Sequence, residues 1–177
     1  MKALSSALAG MVATVALAFT TAPARAVGET AVGTLKRADG TDIGTATFTE
    51  ATAGVLIKFD LKGLPPGPHA VKVHESGKCD GDFNGTGAIY NPLGAKHGFL
   101  NDEGPMAGDL PNLYAGSDGT IVAEILSPFL TLSTEAEETL FDAEGSAVVI
   151  FEKADDYRTE PDGAAGSRIA CGKISIK

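Results

Sequence analysis

Two side chains that could hold a metal ion or a substrate lie close together in the segment Val71-Lys72-Val73-His74. Valines alternate with polar residues there, and successive side chains of a strand point to opposite faces of a sheet. We therefore expect Val71 and Val73 in the core, and Lys72 and His74 together on the other face, about 7 Å apart along the strand. Such a fixed pair is a natural platform for a metal or a substrate, and the lysine is its unusual member.

The chain around this segment is predicted to form short strands separated by turns. Residues 54–61 alternate apolar and polar side chains, and the corner at 63–68 is too rich in proline and glycine to continue a sheet ladder. The eight predicted strands are residues 30–37, 43–50, 54–61, 67–75, 110–115, 120–126, 146–153 and 168–176, with 130–132 as a further short candidate.

Two long irregular segments, from 75 to about 109 and from 154 to 167, interrupt this pattern. A loop of that length in a compact domain is either functional or anchored by something such as a disulfide or a metal. The 22 glycines, the nine prolines and the lack of tryptophan favour an all-β fold rich in turns. Eight strands with two long loops and no repeat are typical of a β-sandwich or a Greek-key barrel.

The N-terminal residues 1–26 are predicted to be a signal peptide. An early lysine is followed by an apolar, alanine-rich run that ends at Ala24-Arg25-Ala26, a pattern that signal peptidase cleaves. The run is too short for a transmembrane span, although an uncleaved N-terminal anchor is the alternative. The mature chain would then be residues 27–177, exported from the cytoplasm.

The charge of the mature chain limits its partners. The sequence contains 14 Lys and Arg against 23 Asp and Glu. Loss of Lys2 and Arg25 leaves 12 basic residues and a net charge of about −11. This charge argues against nucleic acid or an anionic membrane as a partner. A chain of this length fits one domain with a sizeable core.

The only two cysteines of the sequence, Cys79 and Cys171, are predicted to form a disulfide. Paired cysteines are usual in an exported chain, whereas free thiols are unusual in an oxidising compartment. Closing a loop of this size stabilises a fold by about 4 to 5 kcal/mol in the chain-entropy model. The bond would tie the loop after the Lys72 and His74 strand to the last strand.

A series of motifs spread over the mature chain carries a family resemblance. They are Gly67-Pro68-His69, Val73-His74-Glu75, Asn91-Pro92-Leu93, Lys96-His97-Gly98, Glu103-Gly104-Pro105, Gly108-Asp109-Leu110-Pro111-Asn112, Glu152-Lys153-Ala154-Asp155-Asp156-Tyr157 and Ala165-Gly166-Ser167-Arg168-Ile169-Ala170-Cys171-Gly172. In order and spacing they resemble the copper/zinc superoxide dismutase family in its bacterial exported form. The resemblance implies an eight-stranded Greek-key barrel with two long loops over residues 27–177.

The metal ligands of that family are only partly present. Its members hold copper with four histidines and zinc with three histidines and an aspartate, one histidine being shared, so six histidines are needed. This sequence has three. The copper-ligand positions fall on Lys72, His74, Ile89 and Phe151, the third of these being the shared position.

The remaining zinc positions fall on His97, Met106 and Asp109. Two of these three residues are legitimate zinc ligands, fewer than the four of a usual structural site. His74, His97 and the sulfur of Met106 could instead gather a Cu(I) ion, because imidazole and thioether suit that oxidation state. Apolar filling of the former site is the alternative for Met106 and Phe151.

Several accessory residues of the family are retained. The resemblance also implies the Cys79–Cys171 disulfide, and it assigns Arg168 to the arginine that steers the superoxide anion. Asp155 matches the carboxylate that links the copper and zinc ligands through hydrogen bonds. His69 matches a histidine with structural hydrogen bonds. Capping of loop carbonyl groups is a second role open to Arg168.

These substitutions predict a non-catalytic, exported protein of the dismutase fold, a binding or structural module with no cofactor. Dismutation needs a centre that cycles by one electron, and neither Lys72, Ile89 nor Phe151 can supply a copper ligand of the usual kind. We expect Lys72 to pair with a carboxylate such as Asp155 and to replace the metal electrostatically. The alternatives are a superoxide dismutase with an altered copper and zinc site, and a copper- or haem-binding protein.

The compartment and the partners are predicted more coarsely. A signal peptide, a disulfide and a bacterial style of loop together indicate the periplasm. The resemblance leaves a homodimer open, because dimer contacts differ between branches of the family. The sequence names no protein or small-molecule partner.

Overall fold

The structure is a computed structural model that describes residues 27–134 and 139–177. The predicted signal peptide, 1–26, lies outside the described residues. None of the described helical segments is long and apolar enough to cross a membrane.

The described chain is built almost entirely from strands and loops. Its regular elements are β1 (Thr30–Lys36), β2 (Asp42–Ala51), β3 (Gly54–Leu61), β4 (Gly67–His69), β5 (Val71–His74), one turn of 3-10 helix (Asn84–Thr86), β6 (Leu113–Ala115), β7 (Ile121–Ser127), β8 (Ala147–Phe151) and β9 (Arg168–Ile176). The prediction of an all-β fold is therefore confirmed.

The strands form one curled antiparallel sheet and a small second sheet. The large sheet has the order β5-β8-β9-β1-β2-β3-β7, and β4 pairs with β6 in the small one. β4 and β5 are separated only by Ala70, so they form one continuous segment that leaves one sheet and enters the other. Counted as one strand, they give the eight strands that the sequence predicts.

Most predicted strand boundaries agree with the structure to within two residues. The strand predicted at 110–115 is shorter, since β6 begins only at Leu113. The prediction of a strand at 130–132 is wrong, because those residues have no strand pairing. Leu130 and Leu132 are nevertheless buried, so their apolar character reflects core packing of a loop.

Alternation along β5 and β8 separates two apolar clusters. Val71 and Val73 lie in the main core, as expected, together with Val148 and Ile150. The other face of the two strands contributes to a smaller cluster under the long loops, composed of Ala70, Phe83, Ala147, Val149, Phe151, Ala165 and Cys171. The predicted Cys79–Cys171 disulfide is formed, with a Cα–Cα distance of 5.6 Å.

Candidate functional site

Lys72 lies on the loop-covered face of β5 and is completely buried. Its backbone forms an isolated antiparallel bridge with Asp109, which brings the long loop after β5 against the strand. The Lys72 Nζ atom donates to Asp155 Oδ2 and lies 3.6 Å from Asp109 Oδ1. The expected pairing of Lys72 with Asp155 is thus present, with a second carboxylate nearby.

His97 joins the same two carboxylates. Its Nδ1 lies 2.8 Å from Asp109 Oδ1, and its Nε2 lies 3.0 Å from Asp155 Oδ1. The three residues are buried, and one ligand-type atom from each lies within 4.8 Å of the others. We call Lys72, His97, Asp109 and Asp155 the charged cluster.

Backbone groups of the two long loops hold both carboxylates in place. The N–H groups of Gly98 and Met106 donate to Asp109 Oδ2 at 2.9 and 3.0 Å. The N–H of Tyr157 donates to Asp155 Oδ1 at 2.6 Å. The charged cluster therefore ties together β5, the loop after β5 and the loop after β8.

Asn112 makes a second link between these loops. Its Nδ2 donates to the Asp155 carbonyl at 2.9 Å, and the Asp155 N–H donates to its Oδ1 at 2.8 Å. The Asn112 N–H also donates to the Tyr157 hydroxyl at 2.8 Å. These roles of Asn112 and Tyr157 were not predicted, although both residues belong to motifs that carry the resemblance.

The charges of the cluster balance. Burial on its own lowers the pKa of His97, but hydrogen bonds to Asp109 and Asp155 outweigh it and raise that pKa to about 9. Burial likewise favours the neutral form of Asp155, while bonds to His97 and Lys72 bring its pKa below the ordinary value. His97 and the Lys72 ammonium thus lie opposite the two carboxylates as a pair of cationic side chains.

His74 lies two residues after Lys72 but outside the charged cluster. It is buried, its Nδ1 is 3.1 Å from the Gly87 carbonyl oxygen, and its ring stacks on Phe151 with centroids 5.8 Å apart. Burial, followed by the positive charge of Arg168, lowers its pKa to about 4. Its Nε2 atom is buried and has no hydrogen-bond partner in residues 27–134 and 139–177.

A cleft of about 390 Å³ lies beside His74. Residues at three of the positions matched to metal ligands by the resemblance, Ile89, Met106 and Phe151, form part of its apolar wall. Ile89 faces His74 directly, because the two residues form an isolated antiparallel bridge. We call this feature the His74 cleft.

Arg168 lines the cleft and binds the loop at 83–87. Its Nη1 donates to the Phe83 carbonyl and to Thr86 Oγ1, both at 2.8 Å, and its Nη2 donates to the Gly87 carbonyl at 2.9 Å. The structure therefore supports the loop-capping role of Arg168, and its anion-steering role stays a prediction.

His69 has contacts of the structural kind that we expect. Its Nδ1 lies 2.8 Å from the Phe151 carbonyl oxygen, and its Nε2 lies 2.8 Å from the Pro65 carbonyl oxygen. These contacts join the end of β4 to the end of β8 and to the corner before β4.

The side chains present do not fit a copper ion of the usual kind. Three of the four matched positions offer an ammonium that is already bonded to carboxylates and two hydrocarbon side chains, so His74 is the single nitrogen ligand. The combination of His74, His97 and Met106 for Cu(I) is not favoured either, because both nitrogens of His97 contact carboxylates.

The charged cluster does not fit zinc as it stands. His97, Asp109 and Asp155 offer suitable atoms, but the ammonium of Lys72 lies among them and supplies the positive charge. A zinc ion there would have to displace a buried cation and a ring proton that His97 donates to one of its carboxylates.

Comparison with known proteins gives a consistent result. A family model described as copper/zinc superoxide dismutase matches residues 43–174. The chain is 45% identical to a "Superoxide dismutase [Cu-Zn]" of Caulobacter vibrioides, over 81% of this chain and 84% of the relative. It is 42% identical to a "Superoxide dismutase [Cu-Zn] 2" of Aquifex aeolicus, over 98% of this chain and 99% of the relative.

Solved structures include a similar fold. The crystal structure of a superoxide dismutase-like protein from Bacillus subtilis superposes with a TM-score of 0.78 at 36% identity. The match covers 85% of this chain and all of that one.

Proposed function

The chain belongs to the copper/zinc superoxide dismutase family, and from that premise we propose that it is a member without catalytic copper, a pseudoenzyme that acts as an exported binding or structural module. The observation that supports this proposal is the buried ammonium of Lys72, which is bonded to Asp155 and lies beside Asp109. A cation fixed at a former copper-ligand position opposes a second cation there, since like charges in a buried site repel strongly.

The charged cluster holds the two long loops against β5, which is the structural role that we assign to a metal in this fold. It links β5 to both long loops through ion pairs and backbone hydrogen bonds. Buried pairs of this kind persist only when their remaining hydrogen-bonding capacity is satisfied, and here both carboxylates also accept backbone N–H groups.

A metal-loading experiment tests the proposal. The mature chain, residues 27–177, is exposed to excess copper and zinc, desalted, and analysed by elemental mass spectrometry. We expect less than about a tenth of an equivalent of either metal, because the one group of three possible ligands among the described residues, His97, Asp109 and Asp155, is already paired with the Lys72 ammonium. Stoichiometric copper would refute the proposal.

A matched variant shows whether the fold itself permits copper binding. We expect the triple variant Lys72→His, Ile89→His and Phe151→His to gain copper. Residue 89 lies across a backbone bridge from His74, and the ring of residue 151 stacks on His74. Failure of this variant to bind copper, with its disulfide formed, would mean that the loops rather than the side chains exclude the metal.

The second candidate is a superoxide dismutase with an altered metal site. It is favoured by the names of the Caulobacter and Aquifex relatives, which share 45% and 42% of their aligned residues with this chain. A xanthine oxidase and cytochrome c assay at micromolar protein separates the two candidates. The pseudoenzyme predicts a rate of superoxide dismutation no higher than that of the triple variant without added metal.

We also propose that the protein is located in the periplasm after removal of residues 1–26. Support comes from the signal-peptide pattern and from the disulfide, which persists in oxidising compartments. Osmotic-shock fractionation, with the intact mass of the released protein, tests both the location and the cleavage site.

A further inference from the structure

His74 lines the His74 cleft, and its buried Nε2 has no hydrogen-bond partner among the described residues. Thr86 Oγ1 lies 3.4 Å from His74 Nδ1, but its single proton is donated to the Phe83 carbonyl at 2.9 Å. The Gly87 carbonyl oxygen near Nδ1 can only accept. Nδ1 must therefore carry the ring proton and donate it, which leaves Nε2 as a bare acceptor.

That acceptor is unusual for its surroundings. His74 is 1% exposed, and Nε2 has no partner among the described residues. Leaving a buried acceptor unpaired is unfavourable, so a ligand that donates a hydrogen bond here is favoured over one that cannot. The ligand is therefore expected to carry an O–H or N–H group.

The walls of the cleft select the rest of the ligand. Half of the ten lining residues are apolar, among them Ile89, Met106 and Phe151. A volume of about 390 Å³ is near the lower end for small-molecule sites. A single aromatic ring fits such a space and packs favourably against Phe151.

The charged residues of the cleft disfavour ionic ligands of both signs. Arg168 repels a cation, whereas Glu75 and Asp162 repel an anion. Three of the five N–H donors of Arg168 already bind the 83–87 loop, so its charge is fixed in place. A neutral ligand avoids both repulsions.

We propose that the His74 cleft binds a small neutral aromatic alcohol of the phenol class, with its hydroxyl donating to His74 Nε2 and its ring against Ile89, Met106 and Phe151. Met106 is half-buried at this wall, and its flexible side chain can turn aside to admit the ring. This inference rests on the proposed non-catalytic binding function and names the ligand class of that module.

The test compares three probes on the mature chain, after treatment with a chelator and measurement of its metal content. Phenol, toluene and benzoate are titrated while the amide signals of Gly87, Ala88 and Ile89 are followed by NMR. Toluene lacks the donor, and benzoate carries a charge. We expect phenol to bind about tenfold more tightly than toluene, because one buried hydrogen bond contributes about that factor, and benzoate to bind more weakly than either.

Two variants locate the binding site. His74→Phe removes the acceptor but keeps a ring against Phe151, so phenol should bind no better than toluene while toluene is unaffected. Met106→Trp fills the cleft and should abolish binding of both. Tyr114→Phe, at an exposed residue outside the cleft, is the matched control and should leave both affinities unchanged.

The outcomes are distinct. A metal-free protein that binds phenol no better than toluene, or a His74→Phe variant that keeps the preference, overturns this inference and leaves the proposed function standing. If His74→Phe fails to fold, unchanged phenol binding by Met106→Trp overturns it equally. Stoichiometric copper on the loaded wild-type protein overturns the proposed function, whatever phenol does.

Discussion

The charged cluster and the His74 cleft begin two residues apart on the same strand, yet they differ in how their buried polar groups are paired. Lys72 enters a set of four buried charges in which each carboxylate binds a cation and at least one backbone N–H. His74 enters a wall that is half apolar, and one of its ring nitrogens has no partner in the described part of the chain. The buried charges of the charged cluster are all paired, whereas the His74 cleft keeps an unpaired ring nitrogen.

The difference shows where stability and binding capacity are located. A satisfied buried network rigidifies its surroundings, because removal of any member leaves another charge unpaired. An unpaired acceptor next to a cavity costs stability but is available to a ligand. We therefore expect the charged cluster to determine folding stability and the His74 cleft to determine binding.

The largest effect is expected from Lys72→Met. Methionine has a similar length but no charge, so Asp155 loses its buried ammonium partner. Breaking a buried pair in this way costs about 3 to 5 kcal/mol, which corresponds to a fall in Tm of about 10 °C. Thermal unfolding followed by circular dichroism measures it, with Lys58→Met, at an exposed position of β3, as the matched control. An unchanged melt would show that the lysine does not hold the loops.

The next largest effect is the pH dependence of folding stability, which differs between the charged cluster and the His74 cleft. The pKa of His97 is raised to about 9 in the folded protein, so its contribution is complete below about pH 6.5 and is lost as the pH rises through 9. The pKa of His74 is lowered to about 4, so folding is favoured above pH 6.5 and this advantage is lost as the pH falls towards 4. Because one pKa unit corresponds to about 1.4 kcal/mol, each of these two changes in stability is worth at most a few kcal/mol.

Urea unfolding at a series of pH values tests this prediction. Stability should be highest near pH 6.5, the ordinary pKa of an unfolded histidine. The variant His74→Phe should flatten the limb between pH 4 and 6.5 and leave the alkaline limb intact. A wild-type profile that is flat from pH 6.5 to 9 would contradict the doubly bonded His97.

A smaller loss of stability is expected from Gly163→Ala, which places a new side chain against Asp155 of the charged cluster. A Cβ atom at Gly163, where φ is +73°, would lie 1.8 Å from Asp155 Oδ1. The carboxylate would have to move away from His97, and we expect a loss of about 2 kcal/mol. Gly40→Ala is the matched control, because its φ is +83° and nothing lies within 4 Å of its Cβ position. Equal losses for the two variants would mean that only the backbone conformation matters.

The smallest effect is expected from Met106→Leu in the His74 cleft. The two side chains have similar volumes, and such swaps usually cost less than about 1.5 kcal/mol. The bond from the Met106 backbone N–H to Asp109 would be kept. A fall in Tm as large as that of Lys72→Met would contradict the separation between the two regions.

The sequence predicted the fold and the pairing of Lys72 well because those features depend on local alternation and on spaced motifs. Val71 and Val73 lie in the core as expected, and the two cysteines are bonded. The segment 130–132 was predicted as a strand because a buried loop and a short strand share the same apolar pattern.

The unpredicted features depend on contacts between distant loops. Nothing in the sequence near His97 shows that both ring nitrogens meet carboxylates, since Asp155 lies 58 residues away. The free nitrogen of His74 follows from the position of the Gly87 carbonyl, a backbone group that no side-chain pattern reveals. The close approach of Gly163 to Asp155 is likewise a property of the folded loop.

The anchoring of both long loops by Lys72 has a consequence for how the protein is produced. Every group in that anchor is part of the polypeptide, so the metal-free function proposed above makes assembly of the loops a one-component reaction. The yield of folded protein from cells should then be independent of the trace-element content of the growth medium.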